Sequence, residues 1–114
     1  MKESSIRSAI LSYHNSLSQS YFEISRPGSQ SGKPDITGCL RGRYVAVEVK
    51  RLREKPTKLQ AYKLKRIHEA GGIGLVAGSV EEIENVLECL GLTKVASSFR
   101  EGQGLKQHQW QKQT

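Results

Sequence analysis

The sequence predicts one α/β domain, a mixed β-sheet with helices on both sides, and three observations carry that expectation. The stretch Tyr44 to Lys50 alternates strictly behind a two-residue turn signal at Arg41-Gly42, so it reads as the second arm of a hairpin. A short apolar run, Ile73 to Ala77, follows an intervening helical stretch, as a parallel crossover does. Apolar residues recurring at three and four mark helices early, midway and late in a chain of 114 residues, enough for one core but not for two.

Residues 2–17 read as the first helix, with Ile6, Ala9, Ile10, Tyr13 and Leu17 turned inward. Glu3 lies in its first turn, where the helix dipole already favours an acid. Tyr21 to Ser25 reads as a short strand that breaks at Arg26-Pro27-Gly28, and residues 26–34 form a loop rich in Gly, Ser and Pro. Within that loop Gly28-Ser29-Gln30-Ser31-Gly32-Lys33 has the look of a phosphate-binding loop. It fails the pattern: three residues separate the glycines instead of four, and Pro34 stands where a Ser or Thr would hold magnesium. A flexible cationic loop is the better reading, with Lys33 free to touch a phosphate.

The hairpin follows. In the second arm Val45, Val47 and Val49 share one face, while Tyr44, Ala46, Glu48 and Lys50 share the other. If the loop has even length, Leu40 faces Arg43 and Asp35 falls opposite Glu48, with Ile36, Gly38 and Leu40 on the valine face. An odd-length loop would spoil both faces at once. Residues directly opposite have Cβ atoms roughly 4.5–5.5 Å apart and like charges there repel, so something positive is expected between the two acids.

Leu52 to Pro56 reads as a basic connector. Thr57 opens a second helix that stops at Gly71-Gly72, with Leu59, Leu64, Ile67 and Ala70 as its apolar side. Ser79-Val80-Glu81-Glu82 is a capping-box pattern for a third helix, with Val80, Ile83, Val86, Leu87 and Leu90 inward and Gly91 as its stop. Residues 1–92 thus form the domain. Residues 93–114 form a glutamine-rich polar extension, partly mobile or an arm to a second subunit, on which Val95 and Phe99 are candidates to dock.

The formal charge is +7 and the pI about 9.7. Between Arg41 and Arg66 stand ten Lys or Arg against only Glu48 and Glu54, a field that favours a polyanion, nucleic acid first and anionic membrane second. A merely solubilising surface is the rival reading. No stretch has the length of a membrane span and the N-terminus lacks a secretory apolar block, so a soluble, cytoplasmic protein is expected. Cys39 and Cys89 sit in apolar patterns without any CxxC spacing and read as small buried thiols, not as a disulfide or zinc pair. His14, His68 and His108 are scattered and suggest no histidine site.

Asp35, Glu48 and Lys50 are the residue types that metal-dependent phosphodiester hydrolysis needs. Two carboxylates bind Mg²⁺ or Mn²⁺ through oxygen, the carbonyl of Val49 is a natural further ligand, and a lysine can orient water or hold developing charge. Pro34-Asp35 followed by Glu48-Val49-Lys50 resembles the motif of the PD-(D/E)XK nuclease superfamily. The ordered set Ser31-Gly32-Lys33-Pro34-Asp35-Ile36, Val47-Glu48-Val49-Lys50, Gln60 and Ala70-Gly71-Gly72 is similar to the VRR-NUC domain, in particular its small stand-alone phage and bacterial members, over about residues 3–90.

That resemblance implies a restriction-endonuclease-like sheet in the order α-β-β-β-α-β-α and divalent-metal-dependent cleavage of DNA. It implies Asp35 and Glu48 as metal ligands, Lys50 as catalytic, Gln60 as a supporting residue and Glu3 as the helix-borne acid. Gln60 has a second explanation, since Thr57-Lys58-Leu59-Gln60 is itself a capping box. The stand-alone relatives further imply a homodimer that cleaves four-way (Holliday) junctions. Phosphate contacts would then come from Lys33, Arg41, Arg43, Arg51, Arg53, Lys55, Lys58 and Lys63. Flap-cleaving, nicking or restriction-like nucleases are alternatives, as is a basic nucleic-acid-binding module without catalysis.

Overall fold

Arg41 and Gly42 both take positive φ, 52° and 83°, the pair of left-handed residues that a two-residue type I′ hairpin turn requires. Gly42 adopts it without steric cost, and the turn fixes the register behind it: Leu40 pairs with Arg43 and Ile36 with Val47. The computed structural model describes residues 2–26 and 32–93. Its elements are α1 (Glu3–Asn15), β1 (Ser20–Ile24), β2 (Ile36–Leu40), β3 (Arg43–Val49), α2 (Lys58–Glu69), β4 (Ile73–Ala77) and α3 (Val80–Cys89). The sheet order is β1-β2-β3-β4; the first two pairings are antiparallel and β4 joins β3 in parallel. This is the expected mixed sheet in the expected element order.

One face of the sheet carries the core. Ile36, Leu40, Val45, Val47 and Val49 are fully buried there with Ile6 and Ile10 of α1 and Ile83 and Leu87 of α3. On the opposite face α2 lies across β3 and β4. Gly74 permits the close approach, because a Cβ built on it would stand 2.8 Å from the carbonyl oxygen of Leu64. Ile67 packs near Gly72 and the Tyr44 carbonyl, whereas Gln60 reaches Glu48. The helix therefore runs back along β3, with its N-terminus over the acidic end of the hairpin.

Several local expectations are corrected by this packing. Helix α1 ends at Asn15, not at residue 17, because the Asn15 side chain is used elsewhere: its Oδ1 accepts from the Phe22 N–H at 2.9 Å and its Nδ2 donates to the Phe22 carbonyl at 3.3 Å. Cys39 and Cys89 are free but exposed, not buried. Cys39 points to the face opposite Ile36 and Leu40, beside the exposed Tyr21 and Tyr44. Val86 and Leu90 are exposed on α3, whose buried side is Ile83 and Leu87. Leu59 and Ala70 are exposed on α2, where Leu64 is the buried residue. In the α3 cap Ser79 does accept from the Glu82 N–H, but the Glu82 side chain accepts from Gly78, one residue too early for a reciprocal box.

His14 is fully buried in the core, stacked on Phe22 with ring centroids 4.1 Å apart, and burial lowers its pKa to about 4. No described helix is long and apolar enough to cross a membrane. The docking residues Val95 and Phe99, the rest of the C-terminal extension from residue 94, and loop residues 27–31 lie outside the described residues.

Candidate metal and phosphodiester site

Continuing the β2–β3 register one step past Ile36 and Val47 sets Asp35 opposite Glu48, the juxtaposition that an even-length loop demands. The strand end is anchored first. Ser25 donates from its backbone to the Asp35 carbonyl at 2.8 Å and from its hydroxyl to the Pro34 carbonyl at 2.6 Å. The Asp35 carboxylate is then aimed by two donors: the Val49 N–H gives Oδ2 a bond of 2.8 Å, and Arg7 Nη1 lies 3.7 Å from Oδ1.

Glu48 is only 3 % exposed. Its Oε1 accepts from Gln60 Nε2 at 3.2 Å, while its Oε2 is buried and, among the described residues, has no hydrogen-bond partner. Its pKa is raised to about 8, first by burial, then by the neighbouring Asp35 carboxyl; Lys50 opposes the rise and Glu3 adds to it. A carboxyl in this state wants either a proton or a cation. Lys50 leaves β3 with its N–H bonded to the Ala77 carbonyl at 3.0 Å, and its ammonium supplies part of the positive charge expected beside the acids.

Gln60 closes the cap of α2 and also reaches Glu48. Its Oε1 accepts from the Thr57 N–H at 2.8 Å, its own N–H donates to Thr57 Oγ1 at 3.1 Å, and the amide nitrogen left over holds Glu48. One side chain thus makes the cap and the contact with Glu48. Glu3 stands in the first turn of α1, and its charge is felt at Glu48 and Arg51. It does not join the two acids as a ligand cluster: among the described residues no three His, Cys, Asp or Glu come together.

Arg7 was missed by sequence reasoning. The signal was available, since Arg7 is four residues after Glu3 and sits between Ile6 and Ile10, whose burial turns that side of α1 to the sheet. The cations expected to meet phosphate are split by the fold. Lys33, Lys50, Arg51, Arg53, Lys55 and Lys58 flank the acidic end of the hairpin in the chain. Arg41 and Arg43 lie at its tip, five residues of β3 or about 17 Å from Glu48. Arg43 there donates from Nε to the Gly71 carbonyl at 3.1 Å, and Arg51 pairs with Glu54 at 3.4 Å. Lys63 stands on α2 beside Gly32.

Two hard oxygen acids with one orphaned, buried oxygen fit a divalent cation that keeps waters and phosphate oxygens for its remaining positions. Neither a family model nor a curated protein matches the sequence. A solved structure described as a VRR_NUC domain does match, with a TM-score of 0.64 and 25% identity over 75% of this chain and 94% of that one. The fold is that of a VRR-NUC domain. A VRR-NUC domain implies a nuclease of the PD-(D/E)XK type, and a nuclease domain implies DNA as substrate. The superfamily typically uses divalent metals, in keeping with the acid pair.

Proposed function

We propose that the protein is a divalent-metal-dependent, structure-selective DNA endonuclease that resolves four-way junctions as a homodimer. The observation that carries the catalytic part is Glu48 Oε2, buried without a hydrogen-bond partner among the described residues, across from Asp35 and beside Lys50. Asp35 and Glu48, with the Val49 carbonyl, would hold Mg²⁺ or Mn²⁺. When bound, the ion supplies charge neutralisation at the phosphate and a more acidic water.

The protein's own groups do the rest. Arg7 and the Val49 N–H hold the Asp35 carboxyl in place. Gln60 holds the Glu48 rotamer. The Lys50 ammonium orients the attacking water and stabilises charge developing on the phosphoryl oxygens. Lys33, Arg53, Lys55 and Lys58 bind the sugar-phosphate backbone without reading bases, so substrate choice rests on shape. Paired cuts on opposite strands of a junction need two symmetry-related sites, and one 114-residue domain provides one.

The test is incubation with matched four-way junction, flap, nicked, duplex and single-stranded DNAs in Mg²⁺, Mn²⁺ or EDTA. The expected outcome is paired, divalent-dependent cuts in the junction alone. Salt-sensitive binding with no divalent-dependent product on any DNA would overturn the catalytic reading, and preferred cleavage of the flap or duplex would overturn the junction assignment.

A further inference from the structure

Leu52, in the connector between β3 and α2, is 87% exposed, more than any other large apolar side chain among the described residues. A single exposed leucine is ordinary, but its setting is built. Residues 51–54 close into a turn: the Glu54 N–H donates to the Arg51 carbonyl at 2.9 Å, and the Arg51 N–H donates to Glu54 Oε1 at 2.6 Å. Arg53 takes a φ of 74°, the left-handed third position of a type II turn, which glycine normally fills. Leu52 thus occupies the second position, the outward corner, and the turn holds it there in spite of the unfavourable backbone at Arg53.

Leu52 is flanked in the chain by Lys50, Arg51, Arg53 and Lys55; of the nearby acids, Glu54 is engaged by Arg51, and Glu82, on the wall of a cleft that Leu52 lines, by the Gly78 N–H. Leu52 also lines two open clefts of about 390 and 460 Å³, one shared with Lys50 and the other with Ile6. A cationic collar attracts a polyanion, but a leucine gains nothing from phosphates. What it can cover is the face of a base, which a continuous stack hides and an opened step exposes. Leu52 follows Glu48 by four positions, at most about 14 Å of chain, so such a step would lie within a few nucleotides of a phosphate at the acids.

Resting on the nuclease reading above, we propose that Leu52 is a wedge that enters an opened base step of the DNA and so makes the site selective for branch points. The test uses four-way junction and perfect duplex DNAs carrying 2-aminopurine, at the branch point in the junction, titrated with the full chain in EDTA. The wild type is expected to raise the junction's fluorescence and leave the duplex unchanged. Leu52→Ala should cut that rise about fivefold or more at saturation, and Leu52→Met should keep it. Because Leu52 is solvated, the alanine variant should fold, which circular dichroism checks.

An equal rise with Leu52→Ala overturns the wedge. So does a wild type that cleaves the junction without any rise, an outcome that leaves the nuclease reading standing. A loss of dimer in Leu52→Ala, read by sedimentation, would reassign the residue to a contact between copies of the chain. A wild type that neither binds nor cleaves any of these DNAs removes both readings together.

Discussion

Val47 and Glu48 are neighbours on β3, 0% and 3% exposed, yet burial acts on them in opposite ways. Val47 points with Val45 and Val49 into a dry core closed by α1 and α3, where removal from water is itself the stabilising term. Glu48 points under the N-terminus of α2, where the same removal raises its pKa and leaves one oxygen unpartnered. The valine face holds the strand in place. The glutamate face is destabilised in a way that a cation would relieve, and β3 carries both because its side chains alternate.

The largest expected effect lies on the acidic face. Asp35→Ala and Lys50→Ala should each lower single-turnover cleavage by about a thousandfold or more, with binding to the same DNA changed far less. Normal cleavage by Asp35→Ala would sink the site. On the core face Val47→Ala should cost about 2–3 kcal/mol in chemical denaturation, and a much smaller loss would mean that the valine face is loosely packed.

The contrast sharpens with pH. The folded pKa of Glu48, about 8, lies above its ordinary value of 4.5, so the folded state keeps a proton that the unfolded state releases earlier. The Glu48 contribution to metal-free stability should therefore be full below about pH 4.5 and be lost as pH rises towards 8. His14, lowered from 6.5 to about 4, acts in the opposite sense between those two values, so the net fall, on the order of a few kcal/mol, should be concentrated above about pH 6.5. Glu48→Gln should flatten that slope and raise the melting temperature at pH 8 in EDTA while abolishing cleavage. Added Mg²⁺ should recover the wild type's stability at pH 8 and leave the glutamine variant unmoved. Melting curves at pH 5 and 8 check all three points.

A smaller effect separates the two duties of Gln60. Gln60→Ala removes both, costing about 1 kcal/mol through the lost cap as well as activity. Gln60→Glu keeps an oxygen for the Thr57 N–H but removes the donor to Glu48, so it should slow cleavage by about tenfold with less change in denaturation midpoint. The smallest effect concerns the two ends of the hairpin. Arg53→Ala or Lys58→Ala should each reduce the salt slope of DNA binding by about one, whereas Arg43→Ala, whose guanidinium is tied to Gly71, should leave it almost unchanged.

Local rules were the readable part of this molecule. Alternation of valines and a two-residue turn were enough for the hairpin register, so Asp35, Glu48 and Lys50 could be placed before any packing was known. The Thr57–Gln60 cap was readable for the same reason, its partners being three residues apart. The exposure of Cys39 is not legible in the sequence, because an apolar neighbourhood does not say which strand face a helix will cover, and α2 covers β3 and β4. His14 followed the apolar stripe of α1 into the core although nothing in its own chemistry asked for it.

The sequence by itself determined which residues share a face, where the chain turns and which helices are capped, because those depend on periods of two and 3.6 and on partners a few positions away. Only the tertiary structure decided that Arg7 from α1 steadies Asp35, that Gln60 bridges its own cap and Glu48, and that Glu48 is buried deeply enough to hold a proton near neutral pH. Those outcomes depend on how far a helix settles onto a sheet. Here that distance is set by contacts such as the one between Gly74 and Leu64, which join residues distant in sequence.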